Sequence, residues 1–126
     1  MNTPSPRPLS PHLQVYRLPM AALMSITHRI TGAILAGGFL LIAGFLVAAA
    51  LGEEPYMQVM AFASSGFGKF ILFGWSAVLY YHTLNGVRHM VWDNSPSTVT
   101  KCKATVSGWL VLALTAALTV ITWLAA

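Results

Sequence analysis

Three long runs without Asp, Glu, Lys or Arg constrain this chain more than any other feature. They cover residues 30–52, 70–87 and 104–126. A helix needs about 20 apolar residues to cross about 30 Å of hydrocarbon, and a spanning segment has to satisfy its backbone hydrogen bonds internally. The runs therefore predict an all-α integral membrane protein with three transmembrane helices. The predicted spans are approximately residues 22–51, 66–91 and 104–125.

The composition favours a membrane protein over a soluble helical bundle. Hydrophobic residues make up 56% of the chain and charged residues only 8%, whereas about 25% of the residues in a soluble domain are charged. The net charge is +4, but the basic residues are scattered and form no stripe of the kind that binds nucleic acid. Cys102 is the only cysteine, so the chain can form no internal disulfide.

The distribution of basic residues predicts the orientation. Six of the seven lie in the N-terminal part or in the second connection: Arg7, Arg17, Arg29, Arg88, Lys101 and Lys103. Because Lys and Arg are retained on the cytoplasmic side of a membrane, both regions should lie inside. We predict an inner-side segment at 1–19, a transmembrane domain at 20–126, and a multi-pass protein with a cytoplasmic N-terminus. The expected location is a bacterial inner membrane rather than the mitochondrial inner membrane.

One group of polar residues lies at the start of the first span, in "SITHRITG". Ser25, His28 and Arg29 occupy positions i, i+3 and i+4, which share one face of a helix. A hydroxyl, an imidazole and a guanidinium there could hold a ligand carbonyl or carboxylate. The alternative is an Arg that extends to the interface and a Ser that bonds to its own helix.

A second group lies in "LYYHTLNGVRHMVWD". His82 and Gly86 share a helix face at i and i+4, and His89 follows at i+7. His82 lies six positions before Arg88, about 9 Å deeper at about 1.5 Å per residue. An imidazole at that depth could be an axial ligand of haem iron. The alternative is a histidine that is hydrogen-bonded to a neighbouring helix.

The segments "RPLSPHLQVY", "SITHRITG" and "HTLNGVRHMVWD" together resemble the cytochrome b membrane-anchor subunits of succinate dehydrogenase, respiratory complex II. The family pattern is Ser-x-x-His-Arg in the first helix. At the end of the second helix it is His-x-x-x-Gly-x-Arg-His, with an Asp four residues later. Both patterns are complete here, and with the three spans the resemblance covers nearly the whole chain.

The resemblance implies a subunit without catalytic residues for succinate oxidation, in a complex that passes electrons from succinate to ubiquinone. That reaction links the tricarboxylic acid cycle to the respiratory chain. By motif, His82 is the axial ligand of the haem b iron, and Ser25 and Arg29 belong to the ubiquinone site. His28, Arg29 and His89 are placed near the haem propionates. The implied partners are a flavoprotein, an iron–sulfur subunit and a second small hydrophobic anchor, which together with this chain completes a helical bundle.

The chain supplies only half of a bis-histidine haem site. A second ligand would have to lie at a similar depth on a facing helix, but His28 and His89 are at the membrane boundary and His12 precedes it. The second ligand is therefore expected from the partner anchor subunit. Two alternatives remain at this point: an anchor subunit of a fumarate reductase, and a haem-free structural scaffold whose histidines bond between helices.

Overall fold

A computed structural model describes residues 16–96 and 99–126, which form four α-helices. They are α1 (Met20–Leu51), α2 (Glu53–Ser64), α3 (Gly66–Asn94) and α4 (Lys101–Ala125). The all-α prediction is confirmed. Residues 1–15 of the predicted N-terminal segment lie outside the described part of the chain.

Two of the helices are long and apolar enough to cross a membrane. The mean hydropathy of the most suitable window is 2.5 in α1 and 2.0 in α4. The helices α2 and α3 meet at a bend of 77°. Taken together as one broken span, they are also long and apolar enough to cross a membrane. Polar side chains in the second half of α3 lower its hydropathy, among them His82, Asn85 and Arg88. The helices thus provide two candidate spans, or three with the bent pair, and the predicted span boundaries stay a prediction.

The helix starts follow from the residues that precede them. Pro19 has φ −66°, and its carbonyl accepts hydrogen bonds from the first turn of α1. The Ser65 hydroxyl accepts from the backbone N–H of Gly68 at 3.0 Å, and that of Thr100 accepts from Lys103 at 3.3 Å. Such side chains satisfy backbone donors that have no partner within the helix. They fix where α3 and α4 begin.

The helix α2 was not expected from the sequence. Gly52 separates it from α1 and has φ +120°, a left-handed conformation that glycine adopts without steric cost. At the other end, a Cβ on Gly68 would lie 2.1 Å from the carbonyl oxygen of Phe62. These two glycines therefore permit the turns on either side of α2.

The helices α1 and α3 run antiparallel and pack through glycines of α1. A Cβ on Gly32 would lie 3.1 Å from Cε1 of His82, and one on Gly38 would lie 2.1 Å from Nε1 of Trp75. Small residues let membrane helices approach closely where no hydrophobic force drives them together. The glycines thus position the His82 ring directly against the backbone of α1.

The helix α4 packs against α3 through polar contacts near its C-terminal end. The hydroxyls of Tyr80 and Thr122 are 2.7 Å apart, and the Trp123 indole donates to the Ser76 hydroxyl at 3.0 Å. The small buried core between the helices consists of Met24, Tyr81 and Val111. Many large apolar side chains face outward instead, as expected where lipid or other subunits are the surroundings.

Candidate functional site

His82 is anchored to α1 through one ring nitrogen. Its Nδ1 lies 3.1 Å from the backbone carbonyl oxygen of His28 and 3.0 Å from Oγ1 of Thr31. A carbonyl oxygen can only accept, so Nδ1 carries the proton and Nε2 keeps the lone pair. Within the described residues, Nε2 has no hydrogen-bond partner. The lone pair of His82 is therefore available to a ligand.

Three imidazoles meet where the N-terminal half of α1 contacts the C-terminal half of α3. The rings of His28 and His82 are stacked, with centroids 3.9 Å apart and planes 8° from parallel. His89 lies on the other side of His28, with centroids 5.5 Å apart. The sequence had placed His28 and His89 at the membrane boundary and His82 deeper, whereas the structure stacks His28 directly on His82 and brings all three rings together.

The glycine of the second motif makes room for one of these rings. A Cβ on Gly86 would lie 3.7 Å from Cε1 of His28. Nδ1 of His28 is buried and has no hydrogen-bond partner in the described chain. A buried polar atom without a partner is rare in a complete native structure. The packing of His28 between α1 and α3 therefore leaves one of its ring nitrogens without a hydrogen bond among the described residues.

Ser25 and Arg29 lie one turn apart on α1, beside the imidazoles. The Ser25 side chain is half-buried and forms no hydrogen bond among the described residues. By contrast, the hydroxyls of Thr27 and Thr31 donate to carbonyls of the preceding turn at 2.8 and 2.9 Å. Arg29 is exposed. The Ser25 hydroxyl is therefore not bonded to its own helix among the described residues, and it is free to bind a ligand.

Arg88 belongs to a different face of α3. Its guanidinium donates to the Ser107 hydroxyl and to the Ala104 carbonyl, both at 2.8 Å, and to the Asn85 side chain at 3.2 Å. It also lies 3.8 Å from the centre of the Trp92 ring. Arg88 is 6% exposed. It links α3 to α4.

Sequence reasoning missed two polar residues next to the site. Thr31 contacts Nδ1 of His82, and Asn85 is fully buried and donates to the carbonyl of Met24 at 3.3 Å. One signal was available for each. Thr31 lies three residues after His28, and Asn85 lies three residues after His82, so each is adjacent to a site histidine on its helix.

Comparison with known proteins gives a consistent result. Residues 3–122 match the family described as succinate dehydrogenase/fumarate reductase transmembrane subunit. The chain belongs to this family. The succinate dehydrogenase cytochrome b556 subunit of Paracoccus denitrificans is 48% identical over 69% of this chain and 67% of its own length. The cytochrome b556 subunit of Rickettsia felis is 33% identical over 93% of this chain and 90% of its own length.

Mitochondrial members of the family are similar as well. The succinate dehydrogenase cytochrome b560 subunit of Dictyostelium discoideum is 35% identical over 91% of this chain and 60% of its own length. The resemblance found in the motifs is thereby confirmed. As a transmembrane subunit of the succinate dehydrogenase/fumarate reductase family, the chain is a membrane anchor that works in a complex with other subunits.

Proposed function

We propose that this chain is the cytochrome b anchor of a succinate dehydrogenase and that it holds haem b through Nε2 of His82. The observation that carries the proposal is the contact of His82 Nδ1 with the carbonyl of His28 at 3.1 Å. Metal-ligating histidines almost always donate their other N–H to such an acceptor, which fixes the tautomer and the ring orientation. When bound, the haem iron supplies one-electron redox chemistry at this position.

The neighbouring imidazoles argue for a second ligand from outside the chain. The haem would be held between His82 and a second ligand that faces it. The rings of His28 and His82 are stacked face to face with centroids 3.9 Å apart, so they lie on the same side. We infer that the partner anchor subunit provides the second ligand. His28, Arg29 and His89 are then near enough to interact with the propionates.

Ser25 and Arg29 are proposed to bind ubiquinone. A quinone gathers negative charge on its oxygens as it is reduced, and preorganised donors and cations stabilise such charge. The Ser25 hydroxyl has no partner within the described residues, and the exposed Arg29 guanidinium lies one turn away. Both groups can face one quinone ring from the same helix. Electrons would arrive from the flavoprotein through the iron–sulfur subunit, docked on the inner side of a bacterial inner membrane.

The test is the haem content of the purified complex with His82→Ala. Removal of the ligand should abolish or strongly reduce the reducible b-type absorption band, while the helices stay intact because alanine is well tolerated in a helix. The matched control is Thr83→Ala at the adjacent, exposed position, which should retain the band. Unchanged haem in His82→Ala would mean that another residue binds the iron. A wild-type complex without haem at any purification stage would favour the structural scaffold.

A further inference from the structure

Thr31 forms a closed triangle of contacts with the site histidines. Its hydroxyl donates to the carbonyl oxygen of His28 at 2.9 Å, and the same oxygen lies 3.1 Å from Nδ1 of His82. The third side is the distance of 3.0 Å between Oγ1 of Thr31 and Nδ1 of His82. Every side of this triangle is within ordinary hydrogen-bonding range.

The direction of each hydrogen bond in the triangle follows from the chemistry of the groups. The carbonyl of His28 has no proton to give. The Thr31 hydroxyl has a single proton, which it donates to that carbonyl, so its oxygen is left to accept. The Nδ1–H of His82 therefore has two acceptors, the carbonyl and the hydroxyl oxygen.

We propose that Thr31 is a positioning residue for His82, fixing the plane of the imidazole and increasing its strength as an electron donor to the iron. This inference rests on the proposed function of His82. An N–H that is shared between two acceptors is more strongly polarised, which makes the ring more basic at Nε2. A more basic ligand stabilises the oxidised iron more than the reduced iron and lowers the midpoint potential.

Thr27 provides an internal comparison one turn earlier on α1. Its hydroxyl also donates to the preceding turn, at 2.8 Å to the carbonyl of Leu23, and it also bonds to a residue of α3, the hydroxyl of Tyr81. Thr27 and Thr31 thus make the same type of contact between the same two helices. Of the two, only Thr31 contacts the proposed iron ligand, His82.

The experiment compares Thr31→Val with Thr27→Val in the complete purified complex. Valine keeps the shape of threonine and removes the hydroxyl. For Thr31→Val we expect the ratio between the affinities of the site for oxidised and for reduced iron to change roughly two- to fivefold. Such a change corresponds to a fraction of the net free energy of one hydrogen bond. At about 59 mV per tenfold change, that raises the midpoint potential by about 20–40 mV. The shift in potential is limited because the His28 carbonyl then loses the hydrogen bond from Thr31 and accepts more strongly from Nδ1 of His82.

Thr27→Val should leave the midpoint potential at the wild-type value. Thr31→Ser, which keeps a hydroxyl at this position, should also have the wild-type potential. The low-temperature electron paramagnetic resonance spectrum of the oxidised complex reports the orientation of the axial rings and should change only in Thr31→Val. An unchanged or lowered potential in Thr31→Val, or an equal shift in Thr27→Val, would overturn the inference. If His82→Ala also retained its haem, the proposed ligand itself would be wrong, and Thr31 would lose its role with it.

Discussion

Replacement of Gly38 by alanine tests the packing that positions the site. The indole of Trp75 occupies the place where a Cβ would be, with Nε1 at 2.1 Å and Cε2 at 2.6 Å from it. Non-bonded heavy atoms pack favourably at about 3.5–4.0 Å. The new methyl group and the indole would therefore have to separate by roughly 1.5 Å. Either the rigid indole changes its rotamer, or α1 and α3 move apart.

Two opposing effects set the magnitude. Overpacking a well-packed contact typically costs about 1–3 kcal/mol, while alanine is favoured over glycine within a helix by about 0.8–1.0 kcal/mol. The expected net loss for Gly38→Ala is therefore about 0–2 kcal/mol relative to the wild-type chain, and about 1–3 kcal/mol relative to a Gly→Ala change in the same helix that meets no clash. Gly37→Ala, at the adjacent position, should be neutral or stabilising, because nothing lies within 4 Å of its added Cβ. Gly44→Ala is a second control with the same open surroundings.

The assay is the fraction of purified complex that stays monodisperse in detergent after heating to a series of temperatures. At about 2–4 °C per kcal/mol, the midpoint for Gly38→Ala should lie about 2–12 °C below the midpoints of the two control variants. Adding Trp75→Leu removes the ring that clashes, so the double variant should recover part of the loss, as expected for contacting residues. If Gly38→Ala were as stable as Gly37→Ala, the contact between Gly38 and Trp75, and with it the register of α1 on α3, would be refuted.

Three further results are expected. Arg88→Met should destabilise the complex by about 1–3 kcal/mol in the same heating assay, because it removes the hydrogen bonds to Ser107 and Ala104 and leaves the buried Asn85 oxygen without this donor. A change within error of wild type would contradict its role as the link between α3 and α4. Ser25→Ala should impair quinone reduction far more than succinate oxidation with a soluble artificial acceptor, and full quinone reduction with normal apparent affinity would remove that residue from the site. A membrane-impermeant maleimide should label the native, exposed Cys102 from the inner side only. It should label Gln58→Cys in a cysteine-free background from the outer side only, and labelling of both from one side would refute the predicted topology.

The helices could be predicted from the sequence because ionisable residues are absent from long runs. Their ends could be recognised from local chemistry, with Pro19 before α1 and Thr100 before α4. The helix α2 could not be predicted in this way. It has only 12 residues, with Glu53 and Glu54 in its first turn, so its apolar pattern is too short to distinguish it from a polar loop. Its helical state depends on the turn at Gly52 and on packing against α1 and α3.

The site was predictable where helical spacing alone decides it. His82, Gly86 and His89 are separated by whole turns and share a face of α3, as the sequence indicated. Arg88 lies six positions after His82, about 120° from it around the helix at 3.6 residues per turn. Helical spacing therefore separates Arg88 from the face that carries the histidines. The contact of Thr31 with Nδ1 of His82 could not be predicted, since it depends on the rotation and the register of two helices that are distant in sequence.

The contact of α3 with α1 supports the proposed iron ligand through the backbone. Toward α4, the helix is held by side-chain hydrogen bonds near both ends, through Ser76, Tyr80 and Arg88. Toward α1, glycine allows so close an approach that a backbone carbonyl of α1 accepts directly from His82. A backbone carbonyl in a helix has almost no freedom to move, unlike a side-chain acceptor. A side chain that has to keep one orientation is therefore well supported where His82 faces the carbonyl of His28, and the carbonyl of Ala104 in α4 holds Arg88 in the same way.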